Sequence, residues 1–258
     1  MSRGILIRIH LLLSFLLVHA SLSFAQSSWK EETIQVANEF GVTVVFDDVE
    51  FPDYWESWSP EWQAVPEDKR AVAVRKLKID LAKYDPRYLR THLEKVFLVD
   101  DLAFKKAKYG GTNDHLQKWL YLHHAWTGDD GSHAKAMGFH HEFSSIIYKT
   151  YKKDFDEDAW QKNNPEDFNY AFKESSDENL RSGRLGLLGS KELYQEGFVC
   201  EYGQLTLEDD INTFSQHLIA KPELLNAQAN EYPRIKKKVK LLSDFFRSTG
   251  YAPPKPKK

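Results

Sequence analysis

The chain of 258 residues contains one cysteine, Cys200, which limits the ways in which its fold can be stabilised. One cysteine forms no internal disulfide and cannot supply a cysteine-rich zinc or iron–sulfur site. Any bound metal must therefore be held mainly by histidine and acidic side chains. Because 41% of the residues are hydrophobic, the chain can bury a sizeable core. We expect a globular protein held together by packing, with Cys200 buried inside it.

The first 25 residues have the pattern of an export signal. Arg3 and Arg8 form its positive segment, a leucine-rich run follows, and Ser23 and Ala25 place small residues before a cleavage site. The run is too short and too polar for a good membrane span. We predict a signal peptide at residues 1–25 and a secreted or periplasmic protein that does not span the membrane. No cysteine follows the cleavage site, so we do not expect a lipoprotein anchor.

The charge balance argues against nucleic acid as a partner. The formal net charge is -3, and the leader holds two arginines and no acid, so the remaining chain carries 33 basic and 38 acidic residues. Nucleic-acid binding usually needs a strongly basic surface. We therefore predict no nucleic-acid partner.

The first half of the mature chain mixes helical and strand patterns. Helical apolar spacing or capping residues predict helices at 29–40, at 66–84 and from Asp85-Pro86 onward. Runs of β-branched or apolar residues predict strands at 42–46, 95–102 and 119–126. Tyr109–Thr112 resembles a turn. The aromatic segment 51–62 either lines a groove or plugs the core, and we favour the plug.

The second half is mainly helical. We predict helices at 133–153, 206–220 and 232–248, an irregular stretch at 154–190 and a disordered basic tail at 251–258. The fold class is thus α+β in a single domain at 26–250. Its N-terminal subdomain, 26–130, holds a small sheet with helices, and its C-terminal subdomain, 131–250, is mainly helical.

The segment most informative about chemistry is Phe139-His-His-Glu-Phe143. In HExxH enzymes, two histidines one helical turn apart bind zinc, and the glutamate between them is the general base. His141 and Glu142 supply the first half of that motif, but the residue four positions after His141 is Ser145. The polar residues lie on a helix with an otherwise apolar body, where they are costly to bury without partners.

A second acidic segment follows downstream. Glu208 lies near the start of the predicted helix at 206–220, and Tyr202 shortly precedes it. With these residues, the stretch from Val96 to Phe246 resembles the zinc-binding metallopeptidases related to lethal-factor-type gluzincins. That resemblance implies a zincin-like fold, a zinc cofactor and a peptide or protein substrate. It also implies His141 and Glu208 as zinc ligands, Glu142 as general base and Tyr202 as the stabiliser of the oxyanion.

The chain departs from the family pattern at two positions. Family members typically read HHEFxHI and, downstream, EDFAE, whereas this chain has Ser145 for the second histidine and Asn212 for the last glutamate. Either a neighbouring group supplies the third ligand, with His140 as the first candidate and His123 or His124 as others, or the site is empty and the fold serves as a binding module.

Two functions stay open at this point. The preferred one is a secreted zinc-dependent metallopeptidase or related hydrolase that binds extended peptide by addition to an edge strand at 119–122. The alternative is a catalytically inactive peptidase-fold module that binds a peptide or a polysaccharide. A component of the cell envelope is a further candidate partner.

Overall fold

A computed structural model describes residues 28–128, 137–170 and 186–253. Its helices alternate with a sheet in the N-terminal half and follow one another in the C-terminal half. The α-helices are α1 Trp29–Phe40, α2 Glu67–Leu81, α3 Pro86–His92, α4 Gly138–Thr150, α5 Glu157–Gln161, α6 Lys191–Glu196, α7 Leu207–Ala220, α8 Pro222–Glu231 and α9 Pro233–Ser248.

The strands form one mixed sheet with β3 at its centre. They are β1 Thr43–Val45, β2 Pro60–Ala64, β3 Lys95–Phe104, β4 Ala107–Lys108, β5 Gly111–Asp114 and β6 Trp119–His123. The order is β1-β3-β6-β5, and β2 and β4 pair with the far end of β3. The β1 and β6 strands run parallel to β3, whereas β5 runs antiparallel to β6. Within the described ranges, β5 is therefore an edge strand.

The two faces of the sheet carry separate apolar layers, because side chains alternate along each strand. Val96 and Leu98 of β3 point into the main core, which the sheet shares with the helices. Phe97 and Val99 point to the other face, where the aromatic segment 51–62 covers them. The plug predicted for this segment is confirmed, with Trp55 only 6% exposed.

The helical half packs around α4 and α7. Phe139 and Phe143 of α4 and Phe214 of α7 are buried in the main core. Cys200, which precedes α7, is fully buried as predicted. Because α4 and α7 also contact each other directly, any polar residues on their facing sides are forced together.

The α+β class, with a small sheet followed by a mainly helical part, is confirmed. The predicted edge strand is wrong, since Trp119–His123 lies between β3 and β5 inside the sheet. Residues 109–112 do not form only a turn, because β5 begins at Gly111. The helix α8 was not predicted. The disordered tail predicted at 251–258 is wrong at its first residue, since Tyr251 is buried in the main core. The rest of that tail from 254 onward, the signal peptide at 1–25 and the predicted helical residues 133–136 lie outside the described residues.

None of the helices that the structure describes combines the length and the apolar character needed to cross a bilayer.

Candidate functional site

A row of polar side chains runs along one side of α4. Residues spaced by four share a face of a helix, so His141, Ser145 and Lys149 lie one above another. The opposite side of the helix carries Phe139 and Phe143, which are at most 1% exposed. The polar row faces α7, and α4 also contacts β5. We call the polar row, together with the polar side chains of α7 and β5 that it meets, the α4–α7 polar cluster.

His141 is held by a glutamine from α7. Its Nδ1 lies 3.1 Å from Gln216 Oε1, and since an amide oxygen only accepts, Nδ1 donates the proton in this arrangement. The other ring nitrogen, Nε2, lies 3.9 Å from Asp209 Oδ1. Burial lowers the pKa of His141, and the carboxylates of Asp209 and Glu208 offset part of that effect. The ring of Tyr202 packs against the imidazole edge to face, with centroids 5.5 Å apart.

Glu142 reaches from α4 to the edge strand. Its Oε2 accepts a 2.9 Å hydrogen bond from Asn113 Nδ2 of β5. Burial raises the pKa of Glu142 to about 7, although the Asn113 bond and Lys149 act in the other direction. Near neutral pH this carboxyl group is therefore poised to take up or release a proton. The strand approaches so closely that a Cβ atom on Gly111 would lie 3.0 Å from Glu142 Cγ.

Glu208 lies in the first turn of α7 and binds two groups from α4. Its Oε1 accepts a hydrogen bond from Ser145 Oγ, and it also lies 2.9 Å from Lys149 Nζ. Each of the two charged side chains is 32% exposed. The carboxylate that the family resemblance implies as a zinc ligand is thus paired with an ammonium group.

Asp209 and Tyr202 complete the cluster. Thr206 begins α7 by accepting the Asp209 backbone N–H at 2.9 Å, and its hydroxyl donates to Asp209 Oδ2 at 2.7 Å. Burial raises the pKa of Asp209 to about 6, and His141 moderates this shift. Burial, followed by the charges of Asp209 and Glu142, raises the pKa of Tyr202 well above its usual value. Tyr202 therefore stays a neutral hydrogen-bond donor.

In the structure, the side chains of His141, Glu142, Glu208 and Tyr202 lie close together, whereas His140 points to another part of the core. Successive helical residues point about 100° apart, and His140 faces α2 instead. There its Nδ1 lies 2.9 Å from Tyr84 Oη, and its Nε2 lies 3.4 Å from Asp80 Oδ1, both side chains being fully buried. The structure therefore does not place His140 where it could be a third ligand beside His141.

The other proposed third ligands also lie outside the cluster. His123 is the last residue of β6 and His124 follows it, and ligand atoms of both lie within 4.8 Å of Asp100. Asn212, which stands for the family's last glutamate, is buried and accepts a 2.8 Å bond from Ser144 Oγ.

Sequence reasoning missed several members of the cluster. Lys149 could have been found, because it lies eight residues after His141 on the same helical face. Asp209 and Gln216 belong to a helix that was predicted, but nothing in the sequence states which of its faces meets α4. Asn113 lies on the strand that resembled a turn.

The donor set around Glu208 does not fit a zinc ion. Catalytic zinc sites use three protein ligands, and a nearby ammonium group opposes a cation. Here Ser145 occupies the position of the second imidazole, and Lys149 holds the carboxylate. Among the residues described, the one group of three His, Cys, Asp or Glu ligand atoms within 4.8 Å of one another is Asp100, His123 and His124.

Comparison with known proteins gives one distant likeness. No protein-family model matches the chain, and no curated protein matches it. A solved structure of a "putative zinc-binding metallo-peptidase" from Bacteroides caccae resembles it with 15% sequence identity and a TM-score of 0.48, over 86% of this chain and 85% of the other. At that distance the likeness assigns no function, which must come from the residues themselves.

Proposed function

We propose that this protein is a metal-independent binding module that holds an extended peptide against strand β5, beside Glu142. The observation that carries the proposal is the contact between Lys149 and Glu208, 2.9 Å apart. It supplies a fixed positive charge at the carboxylate that the family resemblance implies as a zinc ligand. The protein then has no need of a metal ion to neutralise Glu208.

The hydrogen bonding of β5 supports a peptide as the ligand. The Gly110 carbonyl accepts the His123 N–H at 2.8 Å, and pairs along an antiparallel ladder alternate between bonded and non-bonded. Because Gly111 pairs with Leu122 and Asn113 with Leu120, the backbone groups of Gly111 and Asn113 point away from β6. An added peptide strand binds to outward groups of this kind.

The polar cluster supports recognition of the peptide backbone next to that edge. Glu142 offers an acceptor beside β5, where it contacts Asn113, and neutral Tyr202 supplies a hydroxyl near Glu142; both residues are half-buried. Hydrogen bonds made in such surroundings are stronger than in water. The export signal predicted at residues 1–25 supports a protein that acts outside the cell or in the periplasm. Its partners there would be peptides, proteins or components of the cell envelope.

A hydrolase is the second candidate, favoured by the pKa of Glu142 of about 7. A carboxylate of that basicity suits a general base acting on water, and neutral Tyr202 suits a donor to a developing oxyanion. The zinc-dependent form of this function, which the family resemblance implies, requires Lys149 to release Glu208.

The test uses the chain without its predicted leader and a library of short unstructured peptides, with and without a chelator. Asn113→Pro removes one outward N–H from β5 and leaves the ladder to β6 in place. Asn113→Ala is the matched control, because it loses the same amide side chain but keeps the N–H. We expect chelator-insensitive binding by the wild type and Asn113→Ala, weakened about tenfold or more in Asn113→Pro.

Mass spectrometry of the same mixtures separates the two candidates. Intact peptides support the binding module. Cleavage that Glu142→Gln abolishes would establish the hydrolase, and equal binding by the two Asn113 variants would contradict strand addition.

A further inference from the structure

A second cluster of chemistry-bearing side chains lies at the end of β6, away from the α4–α7 polar cluster. The β3 and β6 strands run parallel, with Val99 opposite His123. Asp100, the next residue of β3, and His124, which begins a short 3-10 helix directly after β6, are therefore brought side by side. His123, His124 and Asp100 are all half-buried, so solvent reaches them without full exposure.

The distances suit a small cation. One ligand atom from each of the three side chains lies within 4.8 Å of the others. His124 Nε2 is 2.8 Å from Asp100 Oδ1, and the two imidazole rings lie nearly parallel, with centroids 5.0 Å apart. His123 Nδ1 accepts a 3.1 Å bond from the Ala125 N–H, so an ion that binds this nitrogen takes the place of that bond.

We propose that Asp100, His123 and His124 form a binding site for a divalent transition-metal ion of the zinc class. Two imidazoles and one carboxylate are a donor set that zinc and its neighbours in the series prefer. The ion takes the place of the proton shared between His124 and Asp100, and the remaining coordination positions go to water. This inference does not depend on the proposed function.

The surroundings of the site modulate the affinity. Lys69 Nζ lies 3.9 Å from Asp100 Oδ1 but is half-exposed, so it can turn away into solvent. It competes with the ion for the carboxylate, and Lys69→Ala should therefore strengthen binding. An open groove lined by Lys69, Val72 and Ala73 reaches His124 and gives water access to the ion.

A bound ion should link the middle of β3 to the end of β6. Ligands that bind the native state alone stabilise it by an amount that rises with the logarithm of their concentration over the dissociation constant. Zinc should therefore raise the melting temperature of the wild type.

The experiment measures zinc uptake by equilibrium dialysis of the leaderless chain, followed by a melting curve with and without zinc. We expect about one zinc per chain in the wild type and in His141→Ala, which lacks the imidazole of the α4–α7 polar cluster. We expect His124→Ala to lose both the uptake and the thermal shift. His123→Ala and Asp100→Asn provide the same readout should His124→Ala fold poorly.

Other outcomes would overturn the assignment. No zinc uptake by folded wild type excludes the site. Uptake that survives in the His124, His123 and Asp100 variants, or that disappears in His141→Ala, places the ion elsewhere.

Discussion

Lys149 Nζ lies 2.9 Å from Glu208 Oε1, so a lysine of helix α4 neutralises a glutamate in the first turn of α7. Ser145, one turn before Lys149, donates to the same carboxylate oxygen. Two side chains of α4 therefore bind the same carboxylate of α7. The carboxylate that the family resemblance implies as a zinc ligand is thus already bound by a lysine and a serine of α4.

The first prediction is that two substitutions convert the α4–α7 polar cluster into a metal site. The double substitution Ser145→His and Lys149→Ala places a second imidazole one turn after His141 and releases Glu208. In a His124→Ala background, which removes the other candidate site, we expect the double variant to bind about one zinc per chain.

The control for that experiment is Ser145→His alone in the same background. Lys149 still holds Glu208 there, so we expect uptake at least about tenfold weaker. Failure of the double variant to bind zinc while it remains folded would show that Lys149 is not what excludes the ion.

The second prediction concerns the pH dependence of stability. Because burial raises the pKa of Glu142 to about 7, the folded state binds its proton more tightly than the unfolded state does. Glu142 is therefore neutral to stability below its unfolded pKa of 4.5 and costs stability as the pH rises toward 7. A rise of the pKa from 4.5 to about 7 corresponds to at most about 3.4 kcal/mol, which solvent screening of this half-buried group reduces.

Urea unfolding of the wild type and Glu142→Gln between pH 4.5 and 8 tests this sign. Glu142→Gln should match the wild type at the acidic end and become the more stable protein above neutral pH. The charge of Glu142 is one of the causes that raise the pKa of Asp209 to about 6, so Glu142→Gln also lowers the pKa of Asp209, which adds to the difference in the same direction. A difference that does not change with pH would contradict the account.

The third prediction concerns a buried ion pair that joins α7 to α9. Lys238 Nζ lies 2.7 Å from Asp210 Oδ2, and both side chains are fully buried. Trp160 and Tyr170 donate to the same carboxylate. Lys238→Met leaves the aspartate buried without its cation, so we expect a loss of about 3–5 kcal/mol in the free energy of unfolding.

An exposed pair on the same helix provides the matched control. Lys240 and Asp244 lie 2.6 Å apart, with 77% and 50% of their side chains exposed. Lys240→Met should change the free energy of unfolding by less than about 1 kcal/mol. Similar losses for the two lysine variants would mean that burial is not the reason for the effect. Combining Lys238→Met with Asp210→Asn should recover part of the stability.

The fourth prediction separates the two neighbouring histidines. His140 is fully buried between Tyr84 and Asp80 and joins α4 to α2. His140→Ala should lower the free energy of unfolding by about 2–4 kcal/mol and leave peptide affinity unchanged. His141→Ala, in the α4–α7 polar cluster, should instead change the peptide affinity. Peptide affinity that falls in a folded His140→Ala protein would contradict this division.

Much of the fold follows from local pattern. The alternation of Val96 and Leu98 with Phe97 and Val99 predicts a strand, and the structure adds that both of its faces are covered. Strand β5 was missed because its sequence, Gly-Thr-Asn-Asp, has no apolar alternation and is stabilised by its neighbours. Its position at the edge of the sheet depends on pairing with β6, which a local pattern does not specify.

The members of the site were predictable in part. Helical periodicity predicts that His141 and Lys149 share a face, and also that His140 does not share it. The partner of Lys149 lies 59 residues further along the chain, and the sequence alone does not reveal how α7 is rotated against α4. For that reason the motif suggested a metal, whereas the packing of the two helices supplies a lysine.

The most direct test of the central claim is the zinc content of the His124→Ala protein after dialysis against zinc. Our account predicts none bound, because Lys149 and Ser145 already satisfy Glu208. About one zinc per chain, lost on adding Glu208→Ala or His141→Ala, would instead establish a metal centre between α4 and α7. The protein would then have to be treated as a zinc enzyme.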